Sequence, residues 1–303
     1  MRQLAEDAVA LDGDAILARF GDDLAAWAGF RPAECTPHLI KRSDRRLVVR
    51  YELSNPTQSM DVVGKWYATD RGRLVYDLLQ HLRTSGFGGS DVTVPIPIVY
   101  GSDLRVLFTE FIAGQVLREG LRTDHEAASR AGTWLATFHN APPQSPRDVG
   151  PSKQLRAAER WSEDLPLGAD GEKLKAALKR LPNPRRPVHN DYYHSQLLLG
   201  PNGQIAAVDL DESGLGDPAW DLAHFEAHLE LLAQQWFGDP QAFRPARTAF
   251  RDGYRAIANL PEPRPALAAH AWFKLAHQLE ARGRPASERA YARQALARVL
   301  SIA

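Results

Sequence analysis

The sequence predicts an α+β fold in which a small antiparallel sheet is followed by a mainly helical region. Segments with the apolar pattern of β-strands, at residues 46–53, 61–67 and 104–112, all lie in the first 112 residues. After residue 123, apolar residues instead recur at every third or fourth position over long stretches, as on the buried face of an amphipathic helix. Strands and helices that are separated along the chain in this way are typical of α+β folds.

Length and charge narrow the classes of protein that fit this sequence. With 303 residues the chain can bury a large core in one or two domains. Its 37 acidic and 37 basic residues leave no net charge, which argues against bulk binding to nucleic acid or to an anionic membrane. Cys35 is the only cysteine, so an intrachain disulfide and a cysteine-based metal cluster are excluded.

Targeting signals are not evident in the sequence. The N-terminus lacks the apolar core and the cleavage site of a signal peptide. No apolar run reaches the ~20 residues that a membrane helix needs. We therefore expect a cytoplasmic protein whose partner is neither nucleic acid nor a membrane.

A β-hairpin is predicted within residues 188–223. Residues 197–199 and 205–208 are short apolar runs that suit strands, and the sequence GPNG between them has strong turn chemistry. If these four residues form the turn, Leu199 faces Gln204. The turn therefore sets the expected register of the hairpin.

One end of this hairpin collects polar side chains. Asp191 and Gln196 come just before the first strand, and Asp209 follows the second. Carboxylate and amide oxygens that converge suit a hard cation such as Mg²⁺. A separate carboxylate within reach could receive the proton of a hydroxyl group. This end of the hairpin is therefore the candidate site.

Two sequence blocks around the hairpin resemble a known family. HNDYYHSQ is similar to the H-G-D-x-x-x-x-N catalytic loop of the aminoglycoside phosphotransferase and choline kinase family, and VDLDESGLGDPAWDLA to the I-D-x-x-x-x-x-x-G-D-P-x-x-D-L-A block that follows it. The resemblance implies that Asp191 is the catalytic base or the group that orients the acceptor hydroxyl. It also implies that Asp209 and Gln196 hold the metal ions that bridge the nucleotide phosphates.

The resemblance implies a two-lobed, protein-kinase-like fold. Residues 1–112 would form the N-terminal nucleotide-binding lobe, a small antiparallel sheet with helices. Residues 113–303 would form the mainly helical C-terminal lobe, which carries the catalytic loop and binds the acceptor. ATP would lie between the lobes.

Two positions depart from the family pattern. The usual asparagine is replaced by Gln196, which keeps the carbonyl oxygen but places it one methylene farther from the backbone. The usual glycine is replaced by Asn190, which choline kinases also carry. The first departure predicts a change in the geometry around the metal.

Lys65 alternates with apolar residues on the strand predicted at residues 61–67. An unpaired lysine is costly to bury, so one interpretation places it on an edge strand with its ammonium in solvent. The resemblance implies instead that it reaches the nucleotide phosphates, because VVGKWY occupies the place of the family's third strand.

The resemblance implies one further part of the nucleotide site, and two other parts of the family pattern are missing from the sequence. The main chain of Glu110, Phe111 and Ile112 would bind adenine. The helix predicted at residues 71–83 contains Asp77 but no glutamate to pair with the phosphate-binding lysine. The sequence KRSDRR, placed before the first predicted strand, contains no glycine where backbone amides would cover the phosphates.

Two features could recognise a cationic acceptor. Glu226 and Glu230 lie one helical turn apart and could attract an amine, or they could form a solvated acidic face. The aromatic residues Trp236, Tyr254 and Trp272 could form a cage for a quaternary ammonium, or they could belong to the core.

Three polar residues around the catalytic loop are interpreted as structural. Asp217, just before a proline, suits a helix N-cap, and Asp221 lies in the first helical turn. Both are expected to hold the loop rigid. His139 is expected to be a structural residue at a helix end.

The sequence therefore predicts an ATP- and Mg²⁺-dependent phosphotransferase that acts on a hydroxyl of a small molecule, such as an aminoglycoside, an amino alcohol like choline, or a sugar. A protein kinase is disfavoured because no D-F-G or A-P-E pattern follows the catalytic loop. The alternative is a nucleotide-binding or regulatory module that has lost transfer activity. Gln196 and the missing glutamate and glycine-rich loop favour this alternative.

Overall fold

The structure is a computed structural model that describes residues 8–89 and 91–302. It divides into two compact units. The first contains Met1–Gly89 and Thr93–Ala113, and the second contains Ser90–Val92 and Gly114–Ala303.

In its described residues, the first unit contains a five-stranded antiparallel sheet and two long helices. The strands follow the order β1-β2-β3-β6-β5 across the sheet. The elements of this unit, with β4 at its boundary in sequence, are α1 (Gly13–Ala28), β1 (Glu34–Ser43), β2 (Arg46–Ser54), β3 (Ser59–Tyr67), α2 (Arg71–Thr84), β4 (Val92–Thr93), β5 (Pro97–Gly101) and β6 (Val106–Glu110).

The core of the first unit lies between α1 and one face of the sheet. Ile16, Phe20 and Leu24 share one side of α1 and are buried, as the spacing of apolar residues predicts. Strand β2 alternates buried and partly buried residues, so its apolar side chains face this helix. The Tyr51 hydroxyl donates to the carbonyl of Ala10 at 2.8 Å, which satisfies the one polar group of that buried side chain.

Strand β1 was not predicted, and it changes the place of KRSDRR. Most of β1 is exposed and contains Pro37, so the sequence shows no alternation of apolar residues. Because β1 ends at Ser43 and β2 begins at Arg46, KRSDRR forms the hairpin between the first two strands. The sequence prediction that this segment precedes the first strand is wrong. The hairpin that joins the first two strands nevertheless contains no glycine.

Strand β5 begins at Pro97 and lies at the edge of the sheet. Because a proline has no amide hydrogen for a central ladder, Pro95 and Pro97 predict against a central strand here, and this prediction is confirmed.

The second unit is mainly helical and contains the predicted hairpin. Its elements are β7 (Gln115–Val116), α3 (Leu117–Gly120), α4 (Ala127–Asn140), α5 (Pro151–Asp164), α6 (Ala169–Lys179), β8 (Arg186–Val188), β9 (Leu197–Leu199), β10 (Ile205–Ala207), β11 (Gly214–Gly216), α7 (Ala219–Phe237), α8 (Arg244–Arg255), α9 (Pro265–Ala281) and α10 (Ala286–Leu300). Apolar residues of α5, α6, α7, α9 and α10 form one core cluster. Strands β8 and β11 form a separate antiparallel pair.

Helix α5 was also not predicted, because its sequence is mostly polar. Its buried face consists of Gln154, Ala157 and Ala158, which give little apolar signal. The sequence also predicts a capping box at Thr123 and Glu126, and this prediction is wrong. The carboxylate of Asp124 accepts from the amides of Glu126 and Ala127 instead, at 2.9 and 3.3 Å.

Within residues 8–89 and 91–302, no helix combines the length and the hydropathy that crossing a membrane would require.

Candidate active site

The hairpin of β9 and β10 forms as predicted, but its register differs by one residue. Leu199 faces Ile205 rather than Gln204, because the amide of Gly200 donates to the carbonyl of Gln204 at 2.9 Å. Gln204 therefore belongs to a five-residue loop, in which Gly203 has a φ of 78°.

The far end of the hairpin brings together the segments that carry two of the predicted site residues. The amide of Val208 donates to the carbonyl of Gln196 at 2.8 Å. Gln196 ends the short 3₁₀ turn His194–Gln196, and Asp209 directly follows Val208. The prediction that Asp209 lies beside this segment is therefore confirmed.

Asp221, in the first turn of α7, clamps the loop that carries Asp191. Its buried carboxylate accepts from the backbone amides of His189 and Asn190, at 2.7 and 2.8 Å. It also contacts Nε2 of His139 at 3.0 Å, and the other ring nitrogen of His139 lies 3.0 Å from the hydroxyl of Tyr254. These contacts confirm the structural interpretation of Asp221 and His139.

Asp217 fixes the start of α7. Its carboxylate accepts from the amide of Ala219 at 3.0 Å and from Nε of Arg264 at 2.6 Å. Pro218, rather than Asp217, occupies the cap position. The expected support of the loop is thus present, although the predicted cap position is shifted by one residue.

Asn190 adopts the left-handed backbone conformation, with a φ of 65°. Glycine enters this region without steric cost, and asparagine is among the few other residues that tolerate it. This explains why asparagine can replace the usual glycine. Its side-chain oxygen accepts from Nε2 of Gln154 at 3.0 Å, so α5 supports the loop from another side.

The carboxylate of Asp191 is paired with Lys274 of α9. Nζ of Lys274 donates to Oδ1 of Asp191 at 2.7 Å, and the two side chains are 15% and 27% exposed. Among the described residues, no donor contacts Oδ2, and this oxygen is not sealed from solvent. One carboxylate oxygen is therefore fixed, and the other is open to a ligand.

The ion pair keeps Asp191 ionised. Burial is the largest single influence and acts to raise the pKa of this carboxyl, but Lys274, His189 and His228 together outweigh it. The pKa is therefore lowered from its ordinary value.

Sequence reasoning missed Lys274, although the sequence contains a signal. Lys274 is 83 positions from Asp191. It lies in α9 between the buried residues Phe273 and Leu275. A lysine within a buried apolar run needs a partner, and that requirement predicts a nearby carboxylate without identifying it.

Both acids of the site affect the pKa of Tyr193. Burial raises the pKa of its hydroxyl to about 12, and the carboxylates of Asp191 and Asp209 act in the same direction. Both acids are therefore close enough to the Tyr193 ring to act on it electrostatically. Tyr193 also stacks on His228, with ring centroids 4.2 Å apart.

Asp209 has the backbone conformation of a tight turn, with a φ of 60°. Asp209 directly precedes the 3₁₀ turn Leu210–Glu212. Among the described residues, no group of three His, Cys, Asp or Glu side chains is arranged to hold a metal ion. A Mg²⁺ ion that bridges nucleotide phosphates needs only one or two protein carboxylates, since phosphates and water complete its shell. The oxygen donors of Asp209 and Gln196 fit such an ion.

A second ion-pair cluster follows Asp209. Glu212 accepts from Lys153 of α5 and from Arg147, each at 2.9 Å. Arg147 also donates to the backbone carbonyl of Asp211 at 2.7 Å. Burial acts to raise the pKa of Glu212, but Lys153 and Arg147 outweigh it, so the pKa is lowered to about 2. The cluster ties α5 to the segment after Asp209.

In the first unit, Lys65 lies in a central strand. Strand β3 pairs with β2 on one side and β6 on the other, where Lys65 is opposite Val48 and Leu107. The alternative interpretation of an edge-strand lysine is therefore wrong. Nζ of Lys65 lies 5.7 Å from the ring centroid of Tyr67. Asp77 accepts from Nε of Arg73 through both oxygens, at 3.1 and 3.2 Å.

The residues expected to bind adenine lie where β6 ends. The amide of Glu110 donates to the carbonyl of Ile96 at 2.9 Å, and its side chain accepts from the amide of Ile96 at 3.2 Å. The Glu110 amide is therefore already hydrogen-bonded to the adjacent segment of the same chain. Phe111 and Ile112 lie beyond the strand.

The acidic pair of α7 is already bound by arginines. Glu226 accepts two hydrogen bonds from Arg251, both at 2.6 Å. Glu230 is buried and accepts from Arg247 and from the hydroxyl of Tyr291, at 3.1 and 2.6 Å. The interpretation as a solvated acidic face is wrong for Glu230. Neither carboxylate is positioned to attract an amine without losing its arginine.

The three aromatic residues do not form a cage. Trp272 and Tyr254 are buried, which confirms the core interpretation for both. The ring of Trp236 is covered by the guanidinium of Arg122, at 3.9 Å from its centroid. A cation of the protein itself therefore already lies against the Trp236 ring.

The model of the phosphotransferase enzyme family matches residues 61–243. No curated protein matches the sequence.

Solved structures of low sequence identity share the fold. A thermostable mutant of aminoglycoside phosphotransferase APH(4)-Ia, in complex with ADP and hygromycin B, has a TM-score of 0.60 and 14% identity, covering 93% of this chain and 97% of that one. An ethanolamine kinase of Plasmodium vivax has a TM-score of 0.63 and 12% identity, covering 94% and 86%. Choline kinase LicA of Streptococcus pneumoniae has a TM-score of 0.58 and 14% identity, covering 88% and 94%. These similarities confirm the predicted α+β, protein-kinase-like fold class.

Proposed function

Because this chain belongs to the phosphotransferase enzyme family, we propose that it transfers the γ-phosphoryl group of ATP to a hydroxyl group of a small molecule in a Mg²⁺-dependent reaction. The family match confirms the resemblance that the two sequence blocks around the hairpin indicate. Structural neighbours named as kinases of aminoglycosides, ethanolamine and choline support a small alcohol as the acceptor. An ADP complex among them supports a nucleotide as the phosphoryl donor.

The observation that carries this proposal is the environment of Asp191. Its loop is clamped by Asp221, its Oδ1 is held by Lys274, and its Oδ2 is open. An acceptor hydroxyl that donates to Oδ2 would be oriented for in-line attack. Holding a reactant in this way removes much of the entropic part of the barrier.

The lowered pKa of Asp191 specifies its role further. A carboxylate with a low pKa is a weak base and does not deprotonate an alcohol in the ground state. Phosphoryl transfer passes through a loose transition state, in which the attacking oxygen still holds its proton until late. We therefore assign Asp191 the role of orienting the hydroxyl and accepting its proton late in the transfer.

Asp209 and Gln196 are the proposed ligands of Mg²⁺. When bound, the ion would neutralise charge on the nucleotide phosphates. The carboxylate of Asp209 contributes negative charge, and the carboxamide of Gln196 contributes a neutral oxygen donor. The turn conformation of Asp209 and the backbone hydrogen bond from Val208 to Gln196 hold Asp209 and Gln196 near each other.

The first unit is proposed to bind the nucleotide. Lys65 would contact the phosphates, and the main chain of Glu110, Phe111 and Ile112 would bind adenine. Because the Glu110 amide already bonds to Ile96, its carbonyl and the amides beyond the strand are the groups left for the base. We also propose that residues 1–112 and 113–303 act as the nucleotide-binding and the catalytic lobes.

The test is ATP turnover with Mg²⁺ against a panel of hydroxylated metabolites, followed by the same assay on Asp191→Asn. Removing a general base typically lowers the rate by about 10²- to 10⁴-fold, while ATP binding should not change. Nucleotide binding without phosphorylation of any acceptor would favour the alternative, a module without transfer activity. Loss of ATP binding in Asp191→Asn would contradict the role of Asp191.

A further inference from the structure

We propose that the acceptor carries an anionic group near its reactive hydroxyl, and that the ammonium groups of Lys153 and Lys274 bind this group. The inference rests on the proposed function, since it specifies the substrate class of the same site. A carboxylate and a phosphate ester share the required chemistry.

Both lysines belong to the supports of the candidate site. Lys274 contacts Asp191 directly, at 2.7 Å. Lys153 precedes Gln154, whose side chain holds Asn190 at 3.0 Å, next to Asp191. Its partner Glu212 lies three residues after Asp209. The ion pair between Lys153 and Glu212 therefore joins the element that braces Asp191 to the segment that follows Asp209.

Each ammonium retains hydrogen-bonding capacity. An ammonium has three N–H donors. Among the described residues, Lys153 donates to Glu212 alone and Lys274 to Asp191 alone. The side chains are 27% and 15% exposed, so both remain open to a ligand while water is partly excluded. Charge-assisted hydrogen bonds are strongest in such places.

The cations around these lysines outnumber their ion-pair partners. Among the described residues, Lys153, Lys274 and Arg147 form ion pairs with two carboxylates, Asp191 and Glu212. Burial lowers the pKa of Lys153, and Arg147 and Lys274 lower it further, whereas Glu212 raises it. An anion at this place would offset the cost of burying the lysine.

The two features that could recognise a cationic acceptor are otherwise engaged. Glu226 and Glu230 are bound by arginines, and the ring of Trp236 is covered by Arg122. A polycation or a quaternary ammonium would thus meet neither a free acidic pair nor an aromatic cage here. It would instead meet the lysines around Asp191. Repulsion between like charges is a common source of specificity.

The test uses four probes that share one skeleton and differ in charge: glycerol, glycerate, glycerol 3-phosphate and 3-amino-1,2-propanediol. Their binding to the full chain, loaded with Mg²⁺ and a non-hydrolysable ATP analogue, is measured by calorimetry up to roughly 10 mM, above the usual range of KM. We expect at least one anionic probe to bind tenfold or more tightly than glycerol and the amine. A preference for glycerate over glycerol 3-phosphate, or the reverse, identifies the anion.

Variants of Lys153 link the binding to the structure. Lys153→Met should weaken binding of the anionic probe by about tenfold to a hundredfold, the usual effect of losing one charge-assisted hydrogen bond. Arg147 still pairs with Glu212 in this variant, so folding should be retained. Lys153→Arg should keep most of the binding. Lys173→Met, which removes an exposed lysine of α6, is the matched control and should have no effect.

Three results would overturn the inference: tighter or equal binding of glycerol or the amine, no binding of either anion, or equal effects of Lys153→Met and Lys173→Met. A transfer assay separates this failure from failure of the proposed function. Phosphorylation of a neutral or cationic alcohol in preference to the anions would refute the inference and leave the proposed function standing. Anion binding that depends on Lys153, without phosphorylation of any alcohol, would uphold the anion site and refute the transfer reaction.

Discussion

Replacing Lys274 by methionine removes the cation that lies 2.7 Å from Oδ1 of Asp191 while keeping a side chain of similar length. Since Asp191 is 27% exposed, its carboxylate would lose its partner in a partly dehydrated place. Burial, which acts to raise the pKa of Asp191, would then be opposed only by the weaker influence of His189 and His228. The pKa of Asp191 should therefore rise.

The lost hydrogen bond sets the energetic size of this effect. A hydrogen bond to a charged group contributes roughly 1.5–3 kcal/mol, and here it favours the ionised form of Asp191. Asp191 must be ionised to accept a hydrogen bond from the acceptor hydroxyl. The acidic limb of the pH profile of kcat/KM should therefore move to higher pH in Lys274→Met.

The assay is the pH dependence of kcat/KM for the first acceptor that the wild-type chain phosphorylates. Lys274→Arg retains the positive charge and should restore most of the original profile. Lys173→Met controls for the loss of a lysine elsewhere. A Lys274→Met variant that is folded, less active and unchanged in its acidic limb would refute the proposed electrostatic role, since a structural role alone would leave that limb in place.

Two further predictions concern the supports of the site. Asp221→Asn leaves one acceptor oxygen for the amides of His189 and Asn190, so one buried amide loses its acceptor. We expect the free energy of unfolding, measured by chemical denaturation, to fall by about 1–3 kcal/mol; an unchanged denaturation midpoint would contradict the clamp. Gln196→Asn restores the shorter side chain of the family pattern and should change the Mg²⁺ concentration that gives half-maximal activity. The control Gln235→Asn, on α7, should leave that concentration unchanged. Equal Mg²⁺ dependence of the wild type and both variants would exclude Gln196 as a ligand.

Local sequence signals predicted much of the fold correctly. The helical spacing of apolar residues predicts a helix over Gly13–Ala28, and α1 has these bounds. Asp12 and Gly29 cap its two ends. Residues 197–208 form the predicted hairpin because the turn sequence lies between two apolar runs. Its register was wrong by one residue, since the turn chemistry does not distinguish a four-residue from a five-residue loop.

Elements without an apolar pattern were missed. Strand β1 is mostly exposed and α5 has a largely polar sequence, so neither shows the periodicity on which the predictions depended. The central place of β3 was also open, because strand order depends on pairing between distant segments. The position of Lys65 within the sheet could therefore be settled only by the structure.

The candidate site was likewise predicted only in part from the sequence. Asp191, Gln196 and Asp209 could be named because their spacing matches a family pattern. Their partners could not be named, because Lys274 and Lys153 come from helices that are distant in sequence. The charge balance around Asp191 emerges only when these helices are packed. This balance is the basis for inferring an anionic acceptor.

The most direct test of the proposed site is a crystal structure of the chain with AMP-PNP and Mn²⁺, a substitute for Mg²⁺ that is visible by anomalous scattering. We expect an anomalous peak roughly 2 Å from a carboxylate oxygen of Asp209, with the carboxamide oxygen of Gln196 in the same coordination shell. A metal bound to the nucleotide but to neither residue would contradict this expectation.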